Sequence, residues 1–144
     1  MVQDIIDKWY KRKDSLKKYF EENPMECYDE YEEIVKLLFK FIINDRPHSR
    51  QRWNTDKMTI IDDGEYQGTQ IFIIPRYGYQ PDIEDYLITH TYYGSCSGCD
   101  TLMGIIEYPT YEKKPSEGKV NDLMTLSLHL IQRMEILGQT DYTH

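Results

Sequence analysis

Residues 94–100 read Gly-Ser-Cys-Ser-Gly-Cys-Asp, a run of small, polar and thiol side chains set between two apolar stretches, Tyr86, Leu87, Ile88 and Leu102, Met103, Ile105, Ile106. Such a run predicts a tight turn from a strand into a helix, where backbone N–H groups and thiols converge. One reading is an anion cradle. Gly94, Ser95, Cys96, Ser97, Gly98, Cys99 and Asp100 would aim N–H groups and hydroxyls at one point, helped by about half a positive charge from the helix dipole. No Gly-Lys-Ser/Thr follows, so the segment is not a phosphate loop of the ATP-hydrolysing kind.

Three other chemistries use the thiols. Cys96 and Cys99 form a C-x-x-C at a helix start, where the dipole favours a thiolate for redox exchange. The chain lacks the alternating βαβ order of thioredoxin-like proteins, and Asp100 beside Cys99 opposes a thiolate. The same pair supplies half of a tetrahedral zinc site. Completing it would need ligands from His48, His90, His129, Cys27 or a second subunit, and no matching motif is present, so no cofactor is expected. Finally, residues 94–98 match G-x-nucleophile-x-G with Cys96 central and His90 as base, but that elbow belongs to the parallel sheet of a larger enzyme. The plainest reading is that Gly and Ser only turn the chain.

An anion also needs cations and stacking faces. Residues 46–57 hold Arg46, His48, Arg50, Arg52 and Lys57 against one acid, Asp56, a basic island in a chain whose 17 basic and 25 acidic residues leave a net charge of −8. Trp53, Tyr77, Tyr79, Tyr92 and Tyr93 offer rings on which a base can stack. The 13 tyrosines against 4 phenylalanines exceed what core packing asks for, and mark a surface that touches a ligand or partner. The expected site therefore joins residues 94–100, the Tyr77/Tyr79 loop and the basic island. No pattern fixes a reaction, so the expectation is binding without turnover.

The totals bound the rest. At 144 residues one domain, 1–144, is the simplest organisation. The negative charge excludes generic binding to duplex DNA. The carboxylates of the first two helices are interleaved with lysines, which weakens a reading as a copy of DNA phosphates. The sequence shows no signal-peptide pattern and no apolar run near the roughly 20 residues of a membrane span, so a cytoplasmic protein with no membrane partner is expected. Three cysteines suit reduced thiols better than a disulfide framework.

The elements that must position the site follow from periodicity. Val2, Ile5, Ile6, Trp9, Leu16, Tyr19 and Phe20 predict an amphipathic helix over 2–22, and Asn23-Pro24 with Glu26 predicts the start of a second, running to Ile43. Residues 58–61 and 69–74 predict a hairpin turning at Asp63-Gly64, and 86–93 a third strand. A short helix follows from about residue 100, weakened by Gly104. A flexible connection covers 111–119, and a last helix carries Val120 through Leu137 with His129 as packing on it. The fold class is α+β: an antiparallel meander of at least three strands packed against two N-terminal helices and a C-terminal helix.

Two elements, Tyr-Gln-Gly-Thr at 66–69 and Tyr-Gly-Ser-Cys-Ser-Gly-Cys-Asp-Thr at 93–101, resemble a group of small proteins encoded by phages of Gram-positive bacteria. The likeness covers about 40 residues from Asp62 to Thr101. It brings no activity, cofactor or catalytic residue. What it implies is context: an accessory phage protein in the cytoplasm of its bacterial host, directed against a host defence. The expected partner is then a nucleotide-like small molecule or, alternatively, a host protein docked through the tyrosines. Self-association is compatible with both.

Overall fold

The computed structural model describes residues 2–23, 30–44, 52–64, 67–78, 86–94, 100–105 and 117–137. Helix α1 (Val2–Glu22) buries Ile5, Trp9, Leu16 and Phe20 on one stripe, the spacing that sequence periodicity demands. It ends at Glu22, where the sequence predicts. The backbone N–H and side-chain Nδ2 of Asn23 both donate to the Tyr19 carbonyl, at 2.8 and 3.0 Å, so Asn23 closes α1. Helix α2 (Tyr31–Leu38) begins after an extended Glu30, so a helix entered at Pro24 does not run unbroken into it. Residues 24–29, Cys27 among them, lie outside the described residues.

A π-helical turn, Phe39–Ile43, continues α2 and ends with the Asn44 N–H donating to the Phe39 carbonyl at 2.8 Å. The carbonyls left over at its end are met from α1: Lys8 Nζ donates to Ile43 O at 3.1 Å and Arg12 Nη1 to Ile42 O at 3.5 Å. Cations at a helix C-terminus complement its dipole, so these two contacts tie the helices in charge as well as packing.

The sheet comprises β1 (Thr59–Asp62), β2 (Gly68–Pro75), β3 (Tyr86–Tyr93) and β4 (Glu135–Ile136), antiparallel and in chain order. Phe72 opposes Thr89 and Ile74 opposes Leu87 on the face that meets the helices, where all four are fully buried. Their neighbours Ile71, Ile73, Ile88 and His90 alternate to the other face and take no part in the core cluster. Between these layers helix α4 (Glu117–Gln132) buries Val120, Leu123, Leu126, Leu130 and Ile131. The α+β class and the helical cover of one sheet face are as the sequence predicts.

The last helix is shorter than its periodicity suggests. Thr89 Oγ1 donates to the Leu130 carbonyl at 2.9 Å, Met134 N–H bonds Ile131 O in a tighter turn, and the chain enters the sheet with Ile136 opposite Leu87. Beyond β4, Arg133 Nη1 donates to the His90 carbonyl at 3.3 Å, so side chain and strand together cover the outer edge of β3. No helix among the described residues is long and apolar enough to cross a membrane.

The β1–β2 connection turns on two glycines rather than on a two-residue loop. A Cβ at Gly64 would stand 2.0 Å from Gln67 O, and one at Gly68 would stand 2.6 Å from Asp63 Oδ1 and 3.0 Å from the Gly64 backbone. Gly68→Ala should lower stability by about 1–3 kcal/mol, as overpacking does. Urea unfolding should show this as a lower midpoint at unchanged slope.

Candidate functional site

The residues expected to share one site stand at two ends of the sheet. Gly68 opposes Tyr93 at one end of the β2–β3 ladder, and Pro75 opposes Tyr86 at the other. Arg52 and Trp53 run antiparallel to the continuation of β2 beyond Pro75: Trp53 bridges Arg76, Asn54 N–H donates to Pro75 O at 2.7 Å, and Tyr77 N–H donates to Arg52 O at 3.2 Å. Seven strand steps of about 3.4 Å put roughly 24 Å between the ends. The structure thus separates Arg52, Trp53 and Tyr77 from Tyr93, Gly94 and Asp100, and the single joined surface expected from the sequence is corrected to two places. Arg46, Arg50, Tyr79, Ser95, Cys96, Ser97, Gly98 and Cys99 lie outside the described residues.

At the first end, Asp100 faces inward. Its carboxylate is 5% exposed and accepts from Tyr31 Oη through Oδ1 at 2.7 Å and from the Gly94 N–H through Oδ2 at 2.9 Å, while Tyr31 Oη accepts the Leu102 N–H at 3.0 Å. Helix α3 (Thr101–Ile105) starts directly after it, with Gly104 N–H on the Asp100 carbonyl. One buried carboxylate therefore holds both flanks of residues 95–99 and fixes them to α2. It also sets a negative charge beside the helix start, which opposes the anion expected there. Burial, and then the Asp100 charge and hydrogen bond, push the Tyr31 hydroxyl well above the ordinary tyrosine range.

Tyr93 is likewise committed. Its ring lies opposite side-chain-free Gly68, and its hydroxyl donates to Asp62 Oδ1, an oxygen that also accepts the Gly64 N–H at 3.0 Å. The bond to Asp62 pushes the Tyr93 hydroxyl up to about 12 and, from the other side, holds the Asp62 carboxyl below its ordinary value.

The second end is built from two cross-strand pairs of cation and ring. The Arg76 guanidinium lies 4.0 Å from the centroid of Trp53, and the Arg52 guanidinium lies 4.2 Å from that of Tyr77. Alternation puts the first pair on the core side and the second on the open face: Trp53 is 5% exposed and Tyr77 39%. Trp53 is held by Asn44, whose Nδ2 donates to Trp53 O at 2.9 Å and whose Oδ1 accepts the Trp53 N–H at 2.8 Å. The amide at the end of the π turn thus does the work of a strand neighbour. Trp53 becomes the support of the site instead of an open stacking face. Among the described residues no carboxylate pairs with Arg52.

Among the described residues the two histidines, His90 and His129, share no site. His90 sits on β3 with its ring 5.7 Å from that of Tyr92, and His129 is exposed on α4 rather than packed. Among the described residues no three of His, Cys, Asp and Glu stand close enough to hold a metal ion.

Comparison with protein-family models, curated proteins and solved structures returns no match for this chain.

Removing the Tyr31 hydroxyl tests the first end. Tyr31→Phe leaves the buried Asp100 carboxylate and the Leu102 N–H each short of a partner, which should cost about 1–3 kcal/mol of stability in urea unfolding. The Tyr93–Asp62 bond should show in pH titration. Its contribution is intact below the free tyrosine value of 10.0 and is lost as pH rises through about 12. On the acid side it is present above the free aspartate value of 3.8 and is lost as pH falls through the depressed Asp62 value. Phenolate absorbance of Tyr93→Phe against wild type should lack one late-titrating group; equal curves would show the bond is not made in solution.

Proposed function

We propose that this chain binds an anionic, nucleotide-like ligand without turning it over, and that the binding group is the Arg52–Tyr77 pair on the open face of the sheet. The observation that carries this reading is an arginine stacked 4.2 Å from a ring that is 39% exposed, with no carboxylate partner among the described residues. Stacking orders the guanidinium while leaving its N–H edge for a phosphate, which it can meet in bidentate fashion. The exposed side of Tyr77 suits a base. Arg76 beneath adds positive potential to the same end. Together with the phage resemblance of residues 66–69 and 93–101, this supports an accessory protein that sequesters such a ligand in the host cytoplasm and so counters a host defence.

A second reading, docking of a host protein through tyrosines, draws on Tyr92, which is 63% exposed beside His90 and Arg133. Thermal unfolding against inorganic phosphate and a panel of nucleoside phosphates separates the two. At about 100 times its dissociation constant a ligand stabilises the fold by about 2.7 kcal/mol. Arg52→Ala should cost the free protein only about 0.5–1 kcal/mol, the usual worth of an exposed cation–π contact, yet abolish the ligand-induced shift. A shift that survives Arg52→Ala, or no shift with any phosphate, would overturn the assignment.

A further inference from the structure

The open face of the sheet carries a second arginine beside an exposed ring. Arg133 Nη1 holds the His90 carbonyl at 3.3 Å, its guanidinium lies 5.8 Å from the centroid of Tyr92, and the Tyr92 ring stands 5.7 Å from that of His90. Tyr92 is 63% exposed. Neither Arg52 nor Arg133 pairs with a carboxylate among the described residues. Register puts both arginine–ring pairs on one face: Tyr92 opposes Thr69, and Thr69, Ile71, Ile73 and Tyr77 alternate to the side away from the helices. Eight strand steps of about 3.4 Å separate Thr69 from Tyr77, so the two pairs stand roughly 27 Å apart. Between them lie the cross-strand pairs Ile61–Ile71 and Ile73–Ile88, all four outside the core cluster.

We propose that this face binds single-stranded DNA along β2 and β3, with one base on Tyr77, another on Tyr92, phosphates on Arg52 and Arg133, and the intervening bases against the isoleucines. The proposal rests on the Arg52–Tyr77 reading and extends it from one nucleotide to a strand. A single strand presents free base faces, which a duplex keeps in its own stack, and an aromatic ring gains from any base whatever its identity. Ring and cation recur at both ends, which suits a ligand in which base and phosphate recur, and a span of roughly 27 Å asks for about four nucleotides or more. The isoleucines offer no hydrogen-bonding group, and the backbone of the sheet is spent on its own ladder. A ribose 2′-hydroxyl laid there would lose water without gaining a partner, a cost that deoxyribose does not carry. Glu135 on β4 and Asp63 at the end of β1 stand at the two edges, so repulsion keeps a phosphate chain on the line between the arginines. Stacking, which is indifferent to the net charge of −8, supplies most of the affinity.

Fluorescence anisotropy of the full chain with labelled oligodeoxyuridylates, two to eight nucleotides long, tests this. The dissociation constant should fall about tenfold or more between the dinucleotide and the hexanucleotide and then level off. Tyr92→Ala should raise the hexanucleotide constant about tenfold, the loss of one stacked base, whereas Tyr92→Phe keeps the ring and should keep the wild-type value. Oligouridylate RNA, which differs only in its 2′-hydroxyls, should bind more weakly. With two phosphates engaged, log affinity should fall with log salt at a slope of about −1.4. Affinity that does not grow with length, a hexanucleotide that binds Tyr92→Ala as tightly as wild type, or RNA bound as tightly as DNA would each overturn the proposal. So would a slope of about −4, which would put the strand on the lysines of α1. The thermal shift by nucleoside phosphates scores Arg52–Tyr77 separately: where it persists and strand binding fails, that pair is a mononucleotide site alone, and where it is absent both readings fall.

Discussion

A buried carboxylate needs partners for its oxygens, and the way Asp100 finds them organises one end of this protein. A bare charge in the interior is expensive, so Tyr31 and the Gly94 amide must stay in place for as long as the fold does. Tyr31 begins α2, Gly94 leaves β3 and Asp100 enters α3, so three elements distant in sequence meet at one group. The same bonds make the cysteine-bearing residues 95–99 a segment with both flanks anchored, whatever its thiols do.

The other end is organised by geometry more than by charge. Asn44 offers its side-chain amide to both backbone groups of Trp53, and this sets the register in which Arg52 meets Tyr77 and Trp53 meets Arg76. Because alternate residues point to opposite faces, one cation–ring pair is sunk into the core side and the other is displayed. The displayed pair is therefore presented on a support that is itself buried, the arrangement a recognition site needs in order to keep an arginine ordered before its ligand arrives.

Much of this architecture is legible in the sequence, and the exceptions have physical causes. Helix α1, strands β2 and β3 and the apolar stripe of α4 follow from periodicity because each turns one apolar face to the core. The end of α4 does not, since Arg133 to Leu137 keep a helical pattern while Thr89 and the edge of β3 supply better partners. The helix start signalled at Asn23-Pro24 lies outside the described residues, and Asn23 itself bonds back to the Tyr19 carbonyl through both its N–H and its side-chain amide. In the candidate site, the basic island and Tyr77 are visible as composition, but nothing local shows that Arg52 and Gly94 lie a strand's length apart. Nor does sequence reveal Tyr31, which reads as one more apolar helix residue until its hydroxyl meets a carboxylate sixty-nine positions away.

The two borders of the sheet are finished differently. The Tyr86 and His90 carbonyls of β3 are taken by the Leu137 N–H and the Arg133 guanidinium, whereas among the described residues no strand pairs with the outer side of β1 at Ile60 and Asp62. Beyond β3 the sheet ends on the two residues of β4, a border too short to offer a further strand much backbone. A sheet with both borders open would instead template its own addition without limit, the route by which strand-rich proteins become fibres.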